Sequence, residues 1–330
     1  MPQIVDLKVG FSCNDNCVHC VVADKRSEPD LTIQEIQDVV ERYIGEYSEI
    51  GIVLTGGEVT YRHDYLDILR FLKSLKDSGH VRTVELQTNG RMLSDEGLLD
   101  KTVGVVDYYL VALHSGVAEV HDAVTSRPGS FAETTRALAL LARVVALPAI
   151  VIQSVISRKN HRHLHTIYPF IRNEYGITEC NITFPHPLGA AFSTRVTPRY
   201  CEVTGSVNAA LGYCLENDMG PQLEALPPCV FTGAQRTYAT KAVLARDVKA
   251  VGYAGKKDEH IDYGEVEAES WVKYDSCRKC ELNNCCPGVW REYKRLYPHD
   301  DLFQMQQGEE VRGPHQLAGG RTNHLDHLQK

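Results

Sequence analysis

The chain has 330 residues, of which 43% are hydrophobic and 24% charged, as is usual for a globular protein. Its net charge of −8 argues against a nucleic-acid-binding protein, which usually carries a basic excess. No apolar run approaches the roughly 18 residues that predict a transmembrane helix. We therefore expect neither a nucleic acid nor a membrane as a partner.

The cysteine content indicates the cellular compartment. The chain has eleven cysteines, and its first four residues lack the basic and long apolar regions of a signal peptide. Thiols in a chain without an export signal point to a reducing compartment, where disulfides are rare. We expect a cytoplasmic protein whose cysteines serve metal or redox chemistry.

Apolar runs alternate with amphipathic stretches from residue 4 to about residue 216. The apolar runs predict strands at residues 4–9, 51–55, 83–88, 108–114, 149–157 and 178–184. The amphipathic stretches predict helices at residues 33–47, 64–76, 95–101, 131–144, 161–174 and 198–216. Thr32 and Glu35 form a capping box at the start of the first helix. This alternation predicts an α/β fold with a parallel sheet, whose functional groups gather at the carboxyl ends of the strands.

Three cysteines follow the first strand closely: Cys13, Cys17 and Cys20. Thiolates are the protein ligands of iron–sulfur clusters, and these spacings let one loop wrap a cluster. Three ligands for four irons would leave one iron open to a small molecule. The alternatives are three unrelated thiols, or a zinc site that would need a fourth ligand such as His19. The spacing favours an iron–sulfur cluster over zinc.

The pattern C-x-x-x-C-x-x-C after a first strand resembles the signature of the radical SAM superfamily. Gly56-Gly57-Glu58, directly after the second strand, resembles the GGE motif of that family. Residues 86–90, 110–115 and 127–131 resemble the end of its third strand, its fourth strand and the loop that follows. The similarity covers roughly the first 190 residues, about one domain's length. It implies a partial (β/α)6 TIM-like barrel, which we place at residues 1–217.

The resemblance implies a [4Fe–4S] cluster on Cys13, Cys17 and Cys20, with S-adenosylmethionine (SAM) on the open iron. The residues implied for SAM binding lie at strand ends: Gly56, Gly57, Glu58, Asn89, His114, Ser115, Arg127, Gln153 and Phe184. Arg127 suits the carboxylate of SAM because a guanidinium can pair with it through two hydrogen bonds. Structural hydrogen bonding is the alternative role for the polar residues, and core packing is the alternative for Phe184.

A second cysteine set occupies the C-terminal third. Its spacing, C-x-x-C-x-x-x-x-x-C, resembles the core of the SPASM or twitch extension. The resemblance implies one auxiliary [4Fe–4S] cluster, held by Cys229, Cys277, Cys280 and Cys286. Cys285 competes with Cys286 as the last ligand, and a structural zinc site is the alternative for the set. We place this small cysteine-rich domain at residues 218–306.

Three further expectations concern the C-terminal third. Residues 236–244 and 248–253 alternate in the manner of a hairpin. Trp290, Tyr293 and Tyr297 are predicted to pack the small domain onto the barrel. Residues 307–330 are rich in glycine, histidine and charge, and we expect a flexible tail.

Together these features predict a radical SAM enzyme that cleaves SAM reductively to a 5′-deoxyadenosyl radical, which abstracts a substrate hydrogen. We expect a peptide substrate, modified by epimerisation, crosslinking or oxidation, and an external reductant such as flavodoxin or ferredoxin. One alternative is a small-molecule dehydrogenase or cyclase in cofactor or antibiotic biosynthesis. Another is a non-catalytic iron–sulfur electron-transfer protein, which would need neither the GGE-like stretch nor Arg127.

Overall fold

The structure is a computed structural model that describes residues 2–245, 250–253, 260–299 and 302. The strands in these ranges are β1 (Gln3–Lys8), β2 (Ile50–Thr55), β3 (Val81–Thr88), β4 (Tyr108–Ala112), β5 (Ile150–Val155), β6 (Glu179–Thr183), β7 (Gly220–Glu224), β8 (Ala250–Tyr253), β9 (His260–Asp262), β10 (Trp271–Val272) and β11 (Val289–Trp290). The α-helices are α1 (Ile33–Tyr47), α2 (Tyr65–Asp77), α3 (Glu96–Val103), α4 (Ala118–Thr125), α5 (Ser130–Val144), α6 (Leu164–Tyr175), α7 (Tyr200–Glu216), α8 (Gly233–Leu244), α9 (Tyr263–Ser270) and α10 (Arg291–Leu296).

One large sheet organises the fold. In the described part of the chain, its order is β7-β6-β5-β4-β3-β2-β1-β8-β9. Each neighbouring pair from β1 to β7 is parallel, and helices connect these strands in chain order. This α/β architecture is that of a partial TIM barrel, which confirms the predicted fold class.

Local sequence explains why these elements form. All six residues of β2 are buried, as expected for a parallel strand covered on both faces. At the start of α1, the Thr32 hydroxyl accepts the Glu35 N–H at 3.2 Å, and the Glu35 carboxylate accepts the Thr32 N–H at 2.8 Å. The predicted capping box is therefore confirmed. Helix α1 then buries one face against the sheet, through Ile36, Val39, Val40 and Tyr43.

The structure corrects the predicted hairpin in the C-terminal third. Residues 236–244 lie in α8, and the strand prediction for them is wrong. Their alternation of polarity is outweighed by alanine, arginine, lysine and leucine, which are good helix formers. The second predicted strand is present at residues 250–253, but it pairs parallel with β1. Residues 248 and 249 lie outside the described residues.

Between β1 and β7, two elements were not predicted. Helix α4 lies in the loop between β4 and α5, and β7 extends the sheet beyond β6. Strand β7 has the sequence GPQLE and buries only Pro221, so it lacks the apolar run that identifies the other parallel strands. Its neighbour β6 supplies the pairing that makes it a strand.

The end of the described chain packs onto the barrel as predicted. The Tyr293 hydroxyl accepts the Tyr200 N–H at 3.0 Å, and the Tyr297 hydroxyl donates to the Thr197 carbonyl at 2.7 Å. Trp290 is buried and stacks on His186 with ring centroids 4.0 Å apart. The cysteine-rich segment is thereby anchored near the carboxyl end of β6.

The domain limits stay predictions. Strands β7 and β8, beyond the expected limit at residue 217, lie in the same sheet as β1 to β6. The tail expected at residues 307–330 lies outside the described residues. In the described ranges, no helix has both the length and the apolar character needed to span a membrane.

Candidate active site

The loop after β1 brings together the first three cysteines, each of them partly buried: Cys13, Cys17 and Cys20. The N–H groups of Asn16 and Val18 each donate to a carbonyl near the end of α4, at 2.9 Å. The Asp30 carboxylate accepts the N–H groups of Phe11 and Ser12 at 2.7 and 3.1 Å. The loop is therefore held at both ends by contacts with distant segments.

A buried ion pair fixes the middle of this loop. The Asp15 carboxylate lies 2.6 Å from the Arg91 guanidinium, and their side chains are 1% and 8% exposed. Arg91 also donates to the Asn14 carbonyl at 2.7 Å and pairs with Glu133 at 2.5 Å. The Asn89 amide donates to Asn14 at 2.7 Å and to Asp15 at 3.1 Å. Residues that follow β3 thus position the cysteine loop that follows β1.

Gly56 and Gly57 pass very close to the same loop. A Cβ on Gly57 would lie 2.2 Å from the Ser12 carbonyl oxygen, and one on Gly56 would lie 2.3 Å from that of Gly10. Gly56 also has a φ of +145°, which L side chains rarely adopt. Only glycine permits this approach, which places the backbone after β2 beside the cysteines.

Glu58 is buried and accepts several hydrogen bonds from the protein itself. Its oxygens accept the Thr60 hydroxyl at 2.6 Å, the Thr88 hydroxyl at 2.7 Å and the Asn89 N–H at 2.6 Å. Burial raises the pKa of Glu58, and these hydrogen bonds oppose the shift. The carboxylate therefore ties the loop after β2 to the end of β3, a positioning role that the sequence did not reveal. Direct contact between Glu58 and SAM stays a prediction.

The other predicted SAM-binding residues differ in accessibility. Asn89 and Gln153 are half-buried, whereas His114 and Ser115, just after β4, are buried. Phe184 is buried and stacks on Tyr200 at 4.0 Å, which is the core-packing alternative considered for it. Asn89, His114, Ser115 and Phe184 follow β3, β4 and β6, whereas Gln153 lies within β5.

Arg127 is set apart from them. It lies between α4 and α5, is exposed, and its N–H donates to the Asp122 carbonyl at 3.1 Å. Its predicted role towards the carboxylate of SAM stays a prediction.

A group of buried imidazoles lies beside Cys17. The His19 and His114 rings are 4.7 Å apart, the His114 and His121 rings 5.6 Å. One ligand atom each from Cys17, His19 and His114 lies within 4.8 Å of the other two. Burial lowers the pKa of His19 and of His121 to about 4, so both are neutral at pH 7. The sequence signal was His19 itself, directly before the third loop cysteine.

Burial favours the protonated form of two thiols of the loop, those of Cys13 and Cys17. Burial raises the pKa of Cys13 to about 11 and raises that of Cys17 as well. Metal ligation requires the thiolate, so binding of a cluster would release protons from these groups.

The second cysteine set lines one pocket in the C-terminal segment: Cys229, Cys277, Cys280 and Cys286. Burial, with the neighbouring thiols, raises the pKa of Cys229. Cys285 is exposed, and its thiol donates to the Leu282 carbonyl at 3.4 Å. This geometry favours Cys286 over Cys285 as the fourth member of the set.

Comparison with protein families identifies the class of this chain. Residues 7–158 match the family model described as the radical SAM superfamily. The matched range contains the three loop cysteines, the glycine pair and the ends of β3 to β5. The chain therefore carries a radical SAM domain over residues 7–158.

Curated relatives are similar in sequence over part of their length. An AdoMet-dependent heme synthase of Methanosarcina barkeri is 30% identical over 193 residues, which are 57% of this chain and 52% of the relative. A probable GTP 3′,8-cyclase of Sulfurisphaera tokodaii is 30% identical over 200 residues, or 58% of this chain and 59% of the relative. The chain thus spans between half and three fifths of these relatives.

Two solved structures share the fold over most of the chain. Streptococcus suis SuiB bound to precursor peptide SuiA superposes with a TM-score of 0.61 at 10% identity, covering 92% of this chain and 76% of SuiB. Native anSMEcpe with bound AdoMet and Kp18Cys peptide gives 0.65 at 15% identity, covering 88% of this chain and 90% of that one. Both alignments extend beyond the range matched by the family model.

The superfamily implies SAM and a [4Fe–4S] cluster, and the residues fit both. Around the three thiols, His19 Nδ1 and Arg26 Nε are buried and lack hydrogen-bond partners among the described residues. Within β5, Gln153 donates to the Thr183 hydroxyl at 2.9 Å, and Thr183 donates to Glu224 at 3.1 Å. These two hydrogen bonds fix the orientation of the Gln153 amide. Its buried Oε1 has no hydrogen-bond partner among the described residues and can accept a hydrogen bond from a hydroxyl group.

Proposed function

We propose that the chain is a radical SAM enzyme that binds its catalytic cluster through Cys13, Cys17 and Cys20. The close approach of Gly56 and Gly57 to the cysteine loop carries this proposal, because it brings backbone carbonyls beside the cluster site. When bound, the cluster and SAM supply one-electron cleavage of SAM to methionine and a 5′-deoxyadenosyl radical that abstracts a substrate hydrogen. The electron comes from an external reductant such as flavodoxin or ferredoxin.

The protein's part in this chemistry is to bind and orient SAM. The carbonyls of Gly56 and Gly57 would accept hydrogen bonds from its amino group, and Asn89, His114 and Ser115 would provide further contacts to SAM. Gln153 Oε1 would accept a hydrogen bond from a ribose hydroxyl, and Arg127 would pair with the carboxylate. Phe184 supports the adenine site from the core. The neutral imidazoles beside Cys17 exclude water from that side of the cluster.

We propose further that Cys229, Cys277, Cys280 and Cys286 hold one auxiliary [4Fe–4S] cluster, as in a SPASM or twitch extension. The support is the shared pocket that these four residues line. Four protein ligands would leave no open iron, so electron transfer or structural support is the role of this cluster.

The proposed substrate is a peptide, modified by epimerisation, crosslinking or oxidation. The support is that SuiB and anSMEcpe, whose solved structures hold peptides, share this fold over about nine tenths of the chain. A small-molecule dehydrogenase or cyclase is the second candidate, because the heme synthase and GTP cyclase relatives are more similar in sequence.

Metal content tests the two cluster assignments. Iron, zinc and sulfide would be measured per chain after anaerobic reconstitution, for the wild type and for a Cys13/Cys17/Cys20→Ala variant. We expect about eight irons in the wild type and about four in the variant. Iron unaffected by the triple substitution would rule out the proposed SAM cluster. About four irons with one zinc would make the C-terminal site structural.

Product analysis tests the substrate class. The reduced enzyme would be incubated with SAM and either a pool of deuterated peptides or GTP and porphyrin precursors. Deuterium in the 5′-deoxyadenosine formed from the peptide pool supports a peptide substrate. Stimulation only by the small molecules would replace it with the second candidate.

A further inference from the structure

Arg26 follows the third loop cysteine and bonds back to the loop. Its guanidinium donates from Nη1 to the Asp15 carbonyl at 2.5 Å and from Nη2 to Cys20 Sγ at 3.7 Å. The residue is half-buried at the end of a short turn. Arg26 is therefore held by the loop that carries the cysteines, with a permanent positive charge against one of the three sulfurs.

The third nitrogen of this guanidinium, Nε, is also enclosed. Arg26 Nε is buried and has no hydrogen-bond partner among the residues that the structure describes. A buried donor without a partner is costly, so its presence beside the cysteines indicates an acceptor that the protein itself does not provide. A cluster on the three thiolates would supply sulfur acceptors there.

A positive charge and N–H donors next to an iron–sulfur cluster raise its reduction potential. Reduction adds one negative charge, which a neighbouring positive charge and N–H···S hydrogen bonds stabilise. Hydrogen bonds to the sulfurs and local charge are established determinants of iron–sulfur potentials. Such outer groups also orient the ligands themselves.

We propose that Arg26 is a positioning residue that raises the reduction potential of the N-terminal cluster through its contact with Cys20. The inference rests on the proposed cluster site and adds a residue that sets how readily this cluster accepts an electron. Loss of the guanidinium lowers the midpoint potential and leaves the cluster ligands in place.

Lys25 provides a matched control in the same turn. It carries the same charge one residue earlier, and its Nζ lies 5.4 Å from the centroid of the Phe11 ring. Lys25→Met therefore removes one positive charge close to the loop and leaves the contact between Arg26 and Cys20 Sγ in place. Comparison of the two positions separates the specific contact from a general change in net charge.

The experiment is an anaerobic redox titration followed by electron paramagnetic resonance on the reconstituted full chain. The N-terminal cluster is identified as the signal that changes when SAM is added, and midpoints are measured without SAM. Iron per chain is determined for wild type, Arg26→Met, Arg26→Lys and Lys25→Met. We expect a clear fall in the midpoint for Arg26→Met, a smaller fall for Arg26→Lys, and the wild-type value for Lys25→Met.

The outcomes are distinguishable. Full iron with an unchanged midpoint in Arg26→Met, or an equal fall in Lys25→Met, overturns the inference and leaves the proposed function intact. Loss of the N-terminal iron in both Arg26 variants also overturns the inference. Arg26 would then be needed to hold the cluster in the protein and would not be a residue that sets its reduction potential. Absence of a SAM-sensitive signal in the wild type would instead refute the proposed function.

Discussion

The two cysteine sets are held in different ways. The N-terminal loop is fixed by a buried ion pair, by close glycine contacts and by hydrogen bonds to segments far away in sequence. The C-terminal set is held by local turns, such as the Cys280 N–H to the Cys277 carbonyl at 3.0 Å and the Cys286 N–H to the Leu282 carbonyl at 2.8 Å. The barrel therefore preorganises the first site, whereas we expect the proposed second site to depend on a bound metal for its order.

The largest expected effect tests the second half of this comparison. Cys280→Ala removes one of the four thiols that line the C-terminal pocket. Because local turns alone are weak, we expect amide protection at residues 274–288 to fall by about 100-fold or more, given that metal binding supplies folding free energy. Hydrogen exchange measured by mass spectrometry reports this change, and protection of β2 and β3 should stay at the wild-type level.

Cys285→Ala is the matched control for that experiment. Its thiol is exposed and bonded to a backbone carbonyl, so we expect wild-type protection and metal content. If the two alanine variants behave alike, the assignment of Cys280 to the metal site is wrong.

The next effect tests the preorganisation of the first site. Arg91→Met leaves the buried Asp15 carboxylate without its ion-pair partner. We expect a loss of about 3 kcal/mol in the free energy of unfolding, because a buried charge without its partner is strongly destabilising. Urea denaturation of the cluster-free protein measures it.

The exposed pair of Arg70 and Asp67 provides the comparison for that variant. Arg70→Met should change stability by less than about 0.5 kcal/mol, as is usual for surface pairs. Equal effects of the two substitutions would show that the Asp15 contact does not stabilise the loop.

A methyl group at Gly57 tests the close approach of the two loops. The added Cβ meets the Ser12 and Phe11 carbonyl oxygens at 2.2 and 2.6 Å, so Gly57→Ala must displace the cysteine loop. We expect SAM to bind about 10-fold more weakly or worse, equivalent to about 1.4 kcal/mol. Equilibrium dialysis on the reconstituted protein measures the affinity. Gly45→Ala, where the Cβ meets nothing within 4 Å, should bind SAM normally.

The smallest expected effect is a pH-dependent change in stability that arises at the loop before α5. The Asp122 carboxylate accepts the N–H groups of Gly129 and Phe131 at 2.6 and 2.8 Å. Burial alone would raise its pKa, but these bonds hold the pKa below the ordinary value of 3.8. A carboxyl of this kind stabilises the fold above its unfolded pKa and loses that contribution as pH falls through the folded value.

Asp122→Asn should therefore destabilise the protein by about 1 kcal/mol near pH 7, as is typical for a lost helix-capping carboxylate. The difference from wild type should shrink below pH 4 and vanish at lower pH. Denaturation curves across this range measure it, with Asp100→Asn at an exposed position of α3 as control. A difference that persists unchanged at low pH contradicts the assignment to the charged form.

Local patterns predicted much of the fold. Apolar runs identified β1 to β6, and a capping box identified the start of α1, because these signals depend on neighbouring residues. Strand β7 was missed because its state depends on pairing with β6. Helix α8 was missed because its alternation of polarity was given more weight than the helix formers in its sequence. The cysteine loop was found from its spacing alone.

The supports of the site could not be found in this way. Asp15 and Arg91 are 76 positions apart, and Glu58 meets Thr88 across 30 positions. Charged residues are common and most are solvated, so sequence gave no reason to pair these. Only the parallel order of the strands brings them to one edge.

The pairing of β8 with β1 has a consequence for how the chain folds. Strand β1 has one neighbour, β2, within the next 50 residues, but its other neighbour, β8, follows about 240 residues later. Until residues 250–253 leave the ribosome, β1 is an open edge of the kind that templates aggregation. Pairing at this sequence distance also slows folding. A nascent chain halted before residue 250 should therefore depend on chaperones, whereas a chain that includes β8 covers the open edge of β1.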